Sequence, residues 1–270
     1  MSIALASSTI SSIYLGSSTV SSAYLGSTQV FCVSGSNPVT SNRLLELNNT
    51  TSSYSGSGTV WYDISGNGNN FTLVNSPTFS SIDGFLFASS SQQYAILQSG
   101  SALQNYLTGS VRGGFTLFAD ITPTSGSFLD PEGAIVAGWK DQGTVYKFLF
   151  ELNSAGLGNT IESAVNTTPT GVTGNNSNSI SRGVRTILTL DVDSSGNKNV
   201  YANNISITNA QTVPNENWDP DDPPITIASR INNLGNVFNW FNGRIKTVII
   251  YNRTLTSLER TAVYDYIFTL

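Results

Sequence analysis

Histidine is missing from all 270 residues, so the chain lacks both the usual general base near neutral pH and the commonest metal ligand. Most hydrolase and zinc chemistries lose their simplest equipment. Cysteine occurs once, as Cys32, which excludes an internal disulfide and is read as a buried thiol. Charge is sparse: 11% of residues are charged, and the 12 basic ones stand singly against 17 acidic ones, for a net charge of −5. No basic stripe exists to follow a phosphate backbone, which excludes nucleic acid as a partner. Long apolar runs are lacking too. No stretch nears the ~20 residues of a membrane span, and the first residues have neither the basic nor the apolar region of a signal peptide. The expectation is a chain made without a signal peptide and without a membrane partner.

What is abundant is hydrophobic residues at 39%, 24 glycines, and many Ser, Thr and Asn, the make-up of a β-rich chain with frequent turns. A globular part of about 240 residues can bury on the order of 70% of its unfolded surface. The first thirty residues are different. Ser2–Ile10, Ser12–Val20 and Ser22–Val30 are three repeats with a ten-residue period, each with a small apolar group followed by a lone β-branched residue. Units this short enclose no core, yet burying a Leu- or Ile-class side chain is worth roughly 1.5–3 kcal/mol. Residues 1–33 therefore read as a docking arm, with Ile10, Ile13, Tyr14, Leu15, Val20, Tyr24, Leu25 and Val30 as its contact residues. Residues 34–43 read as a linker, and the folded domain as 44–270.

Beyond Leu44 the apolar residues alternate, or run for five to eight positions between Gly, Asn, Ser and Pro clusters, as strands do. Phe115–Ile121, Tyr146–Leu152 and Arg185–Val192 are the clearest, with a hairpin expected over Asp193–Lys198. Arg244–Tyr251 carries apolar residues on both faces, which suits a central strand. The spacing predicts one helix. Thr256 and Glu259 form a capping-box pattern, and Leu258, Ala262 and Tyr266 recur on one face.

Two segments carry a resemblance. Thr59–Asn70, with Trp61, Asp63 and the Ser-Gly-Asn-Gly-Asn run, is similar to the W-x-D-x-S-G-N-G-N signature of laminin-G-like, concanavalin A-like jelly rolls. Asn242–Arg260 resembles the G-x-I-x-x-V-x-I-Y-N-R-x-L-x-x-x-E ending of the same family. Gly114–Leu117 and Val200–Asn204 match an inner strand and a Y-x-N-G hairpin, with Asn204 in place of glycine. The resemblance implies an all-β fold: a two-sheet antiparallel jelly-roll sandwich, with an extended N-terminal arm and a short C-terminal helix added. The Tyr-Leu-Gly-Ser units resemble the N-termini of tailed-bacteriophage virion proteins. That implies a virion location, made in the host cytoplasm, with capsid or tail proteins as partners.

Trp61 is expected in the core and Asp63 as an acceptor for its own turn, with Gly66 and Gly68 in conformations other residues avoid. Trp139, Trp218 and Trp240 are the aromatic candidates for stacking on a host surface glycan; Phe241 belongs to the core and Trp240 to the opposite face. Asp219, Asp221 and Asp222 form the densest acidic loop and could supply oxygens to calcium, the one cofactor considered. Glycoside hydrolysis needs two carboxylates flanking a sugar bond. Asp191 and Asp193 share a strand face, but they sit at a hairpin end. The expectation is thus a non-enzymatic phage structural protein that displays a lectin-like domain as a capsid decoration or tail fibre and can self-associate. The alternatives are a receptor-binding adhesin for host polysaccharide and a glycoside hydrolase.

Overall fold

The computed structural model describes residues 13–15, 18–20, 22–25, 28–32, 37–98, 102–108, 114–124, 132–138, 146–153, 160–167, 180–195, 197–207, 211–212, 224–232 and 235–270. Two antiparallel sheets dominate them. One has seven strands, in the order Thr160–Thr167, Tyr146–Asn153, Glu132–Gly138, Ile225–Ile227, Tyr94–Leu97, Phe71–Val74 and Val60–Trp61. The other has nine. Its path runs Ile205–Ser206, Asn197–Ala202, Thr186–Val192, Phe115–Pro123, Gly243–Tyr251, Gly84–Phe87 and Thr78–Ser80, with Gln211–Thr212 paired to Asn197–Ala202 and Arg43–Leu47 to Gly243–Tyr251. The sandwich expected from the motifs is the fold observed.

Alternation along the strands builds the core between the sheets. Leu45, Leu47, Trp61, Phe71, Phe85, Phe87, Leu117, Leu188, Ile245 and Ile250 all point inward and are buried. Tilted aromatic pairs fill one end, with Phe85 4.8 Å from Tyr54 and 4.9 Å from both Trp61 and Phe79, ring centre to ring centre. The Trp61 indole N–H donates to the Asn48 carbonyl at 3.0 Å, so the largest buried side chain leaves no unmet donor.

Among the described residues, two α-helices accompany the sheets. The short α1, Ala102–Thr108, was not legible from periodicity because seven residues make only two turns. The C-terminal α2, Ser257–Thr269, begins with the expected capping box: Thr256 Oγ1 accepts from the Glu259 N–H, and Glu259 accepts from the Thr256 N–H. Its buried face differs from the one expected. Val263, Tyr266 and Ile267 pack on Phe118, Ile187, Ile249 and Tyr251, whereas Leu258 is 82% exposed. Leu258 and Tyr266 lie about 80° apart around the helix, so a face centred on Tyr266 collects residues three and four positions away and leaves the first turn outside.

Within the segment read as linker, Asn37 and Val39 are buried. Asn37 donates to Tyr251 Oη and to Glu46, and Tyr251 donates to the Val39 carbonyl. The repeats form two antiparallel hairpins, Ile13–Leu15 with Ser18–Val20 and Ser22–Leu25 with Thr28–Cys32. The last of these strands comes within 8 Å of α2, Cα to Cα. Each hairpin pairs the apolar triplet of one repeat with the residues around its β-branched end.

Candidate functional site

Trp139, Trp218, Asp219, Asp221, Asp222 and Ile10 lie outside the described residues. Ile13, Tyr14, Leu15, Val20, Tyr24, Leu25 and Val30 fall on the arm strands, described by backbone alone, as is Cys32. Trp240 makes an isolated bridge to Ala134 and is half-buried, with an indole nitrogen that meets no acceptor among the described residues, while Phe241 beside it is in the core. Among the described residues no three or more acids or cysteines gather as a metal set.

The signature turns act as scaffold. The Asp63 carboxylate accepts from the Glu46, Ser65 and Asn69 N–H groups at 3.0, 2.9 and 2.9 Å and from the Ser65 hydroxyl at 2.8 Å. Gly66 and Gly68 hold φ of +94° and +72° there. Asn203 and Asn204 both take positive φ, which is how a two-residue hairpin turn forms without glycine. Asp193 accepts from the Ser195 and Asn197 N–H groups, and Asp191 is buried against Thr116 and Arg260. A buried polar knot ties α2 to the sheet: Glu46 accepts from Asn37, Arg43, Asn48 and the Tyr266 hydroxyl. Burial, reinforced by the Glu46 carboxylate, pushes the Tyr266 phenol well above its ordinary value.

A different group of side chains forms a site. On the outer face of the nine-stranded sheet, three rows change from apolar to charged where α2 stops covering them. Phe118 is followed by Asp120 and Thr122, Ile249 is preceded by Lys246 and Arg244, and Ile187 is preceded by Arg185. These charged residues, with Thr122, Ile82 and Asp83, line a cleft of about 170 Å³. The volume is below the ~300 Å³ lower end of ordinary small-molecule pockets, and suits a single sugar ring or an acidic group.

A β-bulge shapes the floor. The register pairs Asp120 with Thr247 and Ile121 with Ile245, so Lys246 is the extra residue, and a bulge of this kind re-aims the side chain it carries. Gly84 permits the close approach of the next strand. A Cβ there would lie 2.4 Å from the Lys246 Cα.

The charges are unequally satisfied. Arg185 grips Asp120 with Nε and Nη2 at 2.7–3.1 Å and donates to the Ile267 and Phe268 carbonyls, capping the negative end of α2. Burial raises the Asp120 carboxyl, opposed by Arg185 and Lys246. Lys246 is 9% exposed and makes no hydrogen bond to a described residue; burial, then Arg185, lower its pKa, against the pull of Asp120 and Asp83. Arg244 Nη1 is buried and meets no acceptor among the described residues. The cleft can therefore hold an anion. It was missed from sequence because Arg244–Tyr251 was read for its apolar residues; the signal was the appearance of Arg and Lys, two apart, at one end of that strand.

No family description matches the sequence, and neither does any curated protein. Solved structures do share the fold. A mutant of Trypanosoma rangeli sialidase displaying trans-sialidase activity superposes with a TM-score of 0.60 at 16% identity, over 86% of this chain and 34% of the sialidase. A structure from work on cell entry of botulinum neurotoxin type C, dependent on two ganglioside molecules, gives 0.62 at 15%, over 84% of this chain and 52% of that one. The binding domain of botulinum neurotoxin DC in complex with SialylT gives 0.61 at 15%, again over 84% and 52%. The chain thus spans about a third of the sialidase and about half of the toxin chains. The expectation of a non-enzymatic protein is corrected here: the proteins that share this sandwich include sialidases, one held as a covalent intermediate with 2,3-difluorosialic acid, so the fold gives no ground for setting catalysis aside. At this identity the likeness is one of fold, and function has to be argued from the site.

Proposed function

We propose that the chain is a lectin-like module displayed on a tailed-phage particle, in which the sandwich binds a surface glycan of the host and the arm of residues 1–33 attaches it to capsid or tail. The observation that carries the glycan reading is the cleft, a sugar-sized recess with unmet hydrogen-bond donors on a rigid sheet face. The likeness of fold to a botulinum neurotoxin binding domain in complex with SialylT, and to a structure from work on neurotoxin type C entry dependent on two ganglioside molecules, supports it.

For the arm, the support is the pair of hairpins built from repeats. A hairpin leaves the outer edge of each strand open to addition of a strand from a neighbour, with main-chain hydrogen bonds giving affinity and side chains giving register. Tyr14, Leu15, Tyr24 and Leu25 would set that register. Many equal copies on a particle would convert a weak glycan contact into firm adhesion.

Two measurements test this. The full chain, applied to an array of bacterial and sialylated glycans, is expected to bind at least one class; binding to none overturns the lectin reading. A chain lacking residues 1–33 is expected to keep its fold by circular dichroism and to lose incorporation into particles. Normal incorporation overturns the docking reading.

A further inference from the structure

We propose that the cleft at the end of α2 is a site for a carboxylate-bearing sugar, a uronate or sialate, whose carboxylate is held by Arg244 and Lys246. The proposal rests on the lectin reading above and assigns its ligand class and residues.

The charge count favours a monoanion. Arg185 and Asp120 close on each other as a bidentate pair, so the charges left in the cleft are Arg244 and Lys246 against Asp83. One positive charge is in surplus. A dianionic phosphate or a heavily sulfated chain would leave the cleft with a net negative charge, whereas a single carboxylate restores balance.

Donor geometry points the same way. Arg244 lines the cleft, its Nη1 meets no acceptor among the described residues, and a guanidinium is a planar fork that matches the two oxygens of a carboxylate. Lys246 is aimed into the same recess by its bulge, with its ammonium making no hydrogen bond to a described residue. An oxygen arriving from outside is best rewarded where a desolvated donor stands unpaired.

The rim supplies the remainder of a sugar site. Ile82 is 73% exposed at one side of the cleft. Phe268, outside the lining itself, is 62% exposed, stacked on Tyr264 and with its ring centre 5.5 Å from the guanidinium carbon of Arg185, a lining residue, so it offers an apolar ring next to the charged floor. A pyranose offers this pattern, with C–H groups on one face and a carboxylate at one end.

The test is calorimetric titration of the full chain with sialyllactose, digalacturonate and, as the neutral control, lactose. Sialyllactose or digalacturonate is expected to bind with an affinity that falls as salt rises, and lactose at least tenfold more weakly. Arg244→Gln and Lys246→Met, which keeps the stem, should each weaken acidic-sugar binding by about tenfold or more. Asp83→Asn, at an exposed position, should strengthen it several-fold, a gain that no loss of folding can imitate. Equal binding of lactose, or unchanged binding in both cation variants, overturns the acidic assignment while leaving the lectin reading standing. Failure to bind any glycan on the array ends both. Binding to phosphatidylserine vesicles without binding to either acidic sugar also overturns the proposal, since the cleft would then be reading a lipid headgroup.

Discussion

Alanine at Gly84 should disturb the site from beneath. Gly84 has φ of +77°, and a Cβ built on it lies 2.4 Å from the Lys246 Cα and 2.6 Å from the Ile245 carbonyl oxygen. Both neighbours are backbone, which cannot rotate away, so the two strands must part by about 1 Å. The left-handed conformation costs a side-chain-bearing residue roughly 1–2 kcal/mol. Forced repacking of this kind adds typically 1–3 kcal/mol. The sum of about 2–5 kcal/mol corresponds to a fall in Tm of roughly 5–15 °C for a domain of this size. Gly56 is the internal control: its φ is +95°, yet nothing lies within 4 Å of its missing Cβ. Gly56→Ala should therefore cost only the conformational part, about 1–2 kcal/mol. Urea unfolding of the two variants, followed by circular dichroism, measures the difference. If Gly84→Ala and Gly56→Ala prove equally mild, the tight crossing of the Gly84–Phe87 strand over the Lys246 bulge does not exist, and the described shape of the cleft floor goes with it.

Asp63→Asn preserves size but turns an NH2 group toward the Asn69 N–H or the Ser65 side, and should destabilise the domain by about 1–3 kcal/mol in the same unfolding assay. Tyr266→Phe removes the 2.7 Å hydroxyl donor to buried Glu46 and should cost about 1–3 kcal/mol, with protection of α2 amides from hydrogen exchange reduced first. Glu259 is held at about 2, below its ordinary 4.5, chiefly by the Arg253 pair and then by the Thr256 cap. Its folded value is depressed, so its contribution is complete above pH 4.5 and disappears as pH falls through 2. Both partners of that pair keep contact with water, which limits the worth of the charge to about 1 kcal/mol. Glu259→Gln should accordingly flatten the acid limb of a stability-against-pH curve by that amount; an unchanged limb would refute the assignment.

The sequence by itself determined the strands, and the resemblance of Thr59–Asn70 and Asn242–Arg260 to laminin-G-like jelly rolls implied the sandwich. Strand positions, the inward Trp61, the Asp63 turn, the central Gly243–Tyr251 strand and the α2 cap all follow from local rules: period-two alternation, a carboxylate facing its own turn's N–H groups, and Thr-x-x-Glu spacing. These signals lie within a few residues of one another. Only the tertiary structure decided where α2 sits and which of its faces is buried, because that depends on the sheet surface it meets and not on its own spacing. The cleft was decided there as well. Asp120 comes from one strand, Arg244 and Lys246 from a second, Arg185 from the position just before a third and Asp83 from a turn, and no local pattern links them. What unites them is the point at which α2 ends, leaving the outward rows of the sheet uncovered, and a one-residue bulge that a linear sequence does not display. Long-range packing creates such sites because it brings charges together that the chain, residue by residue, keeps apart.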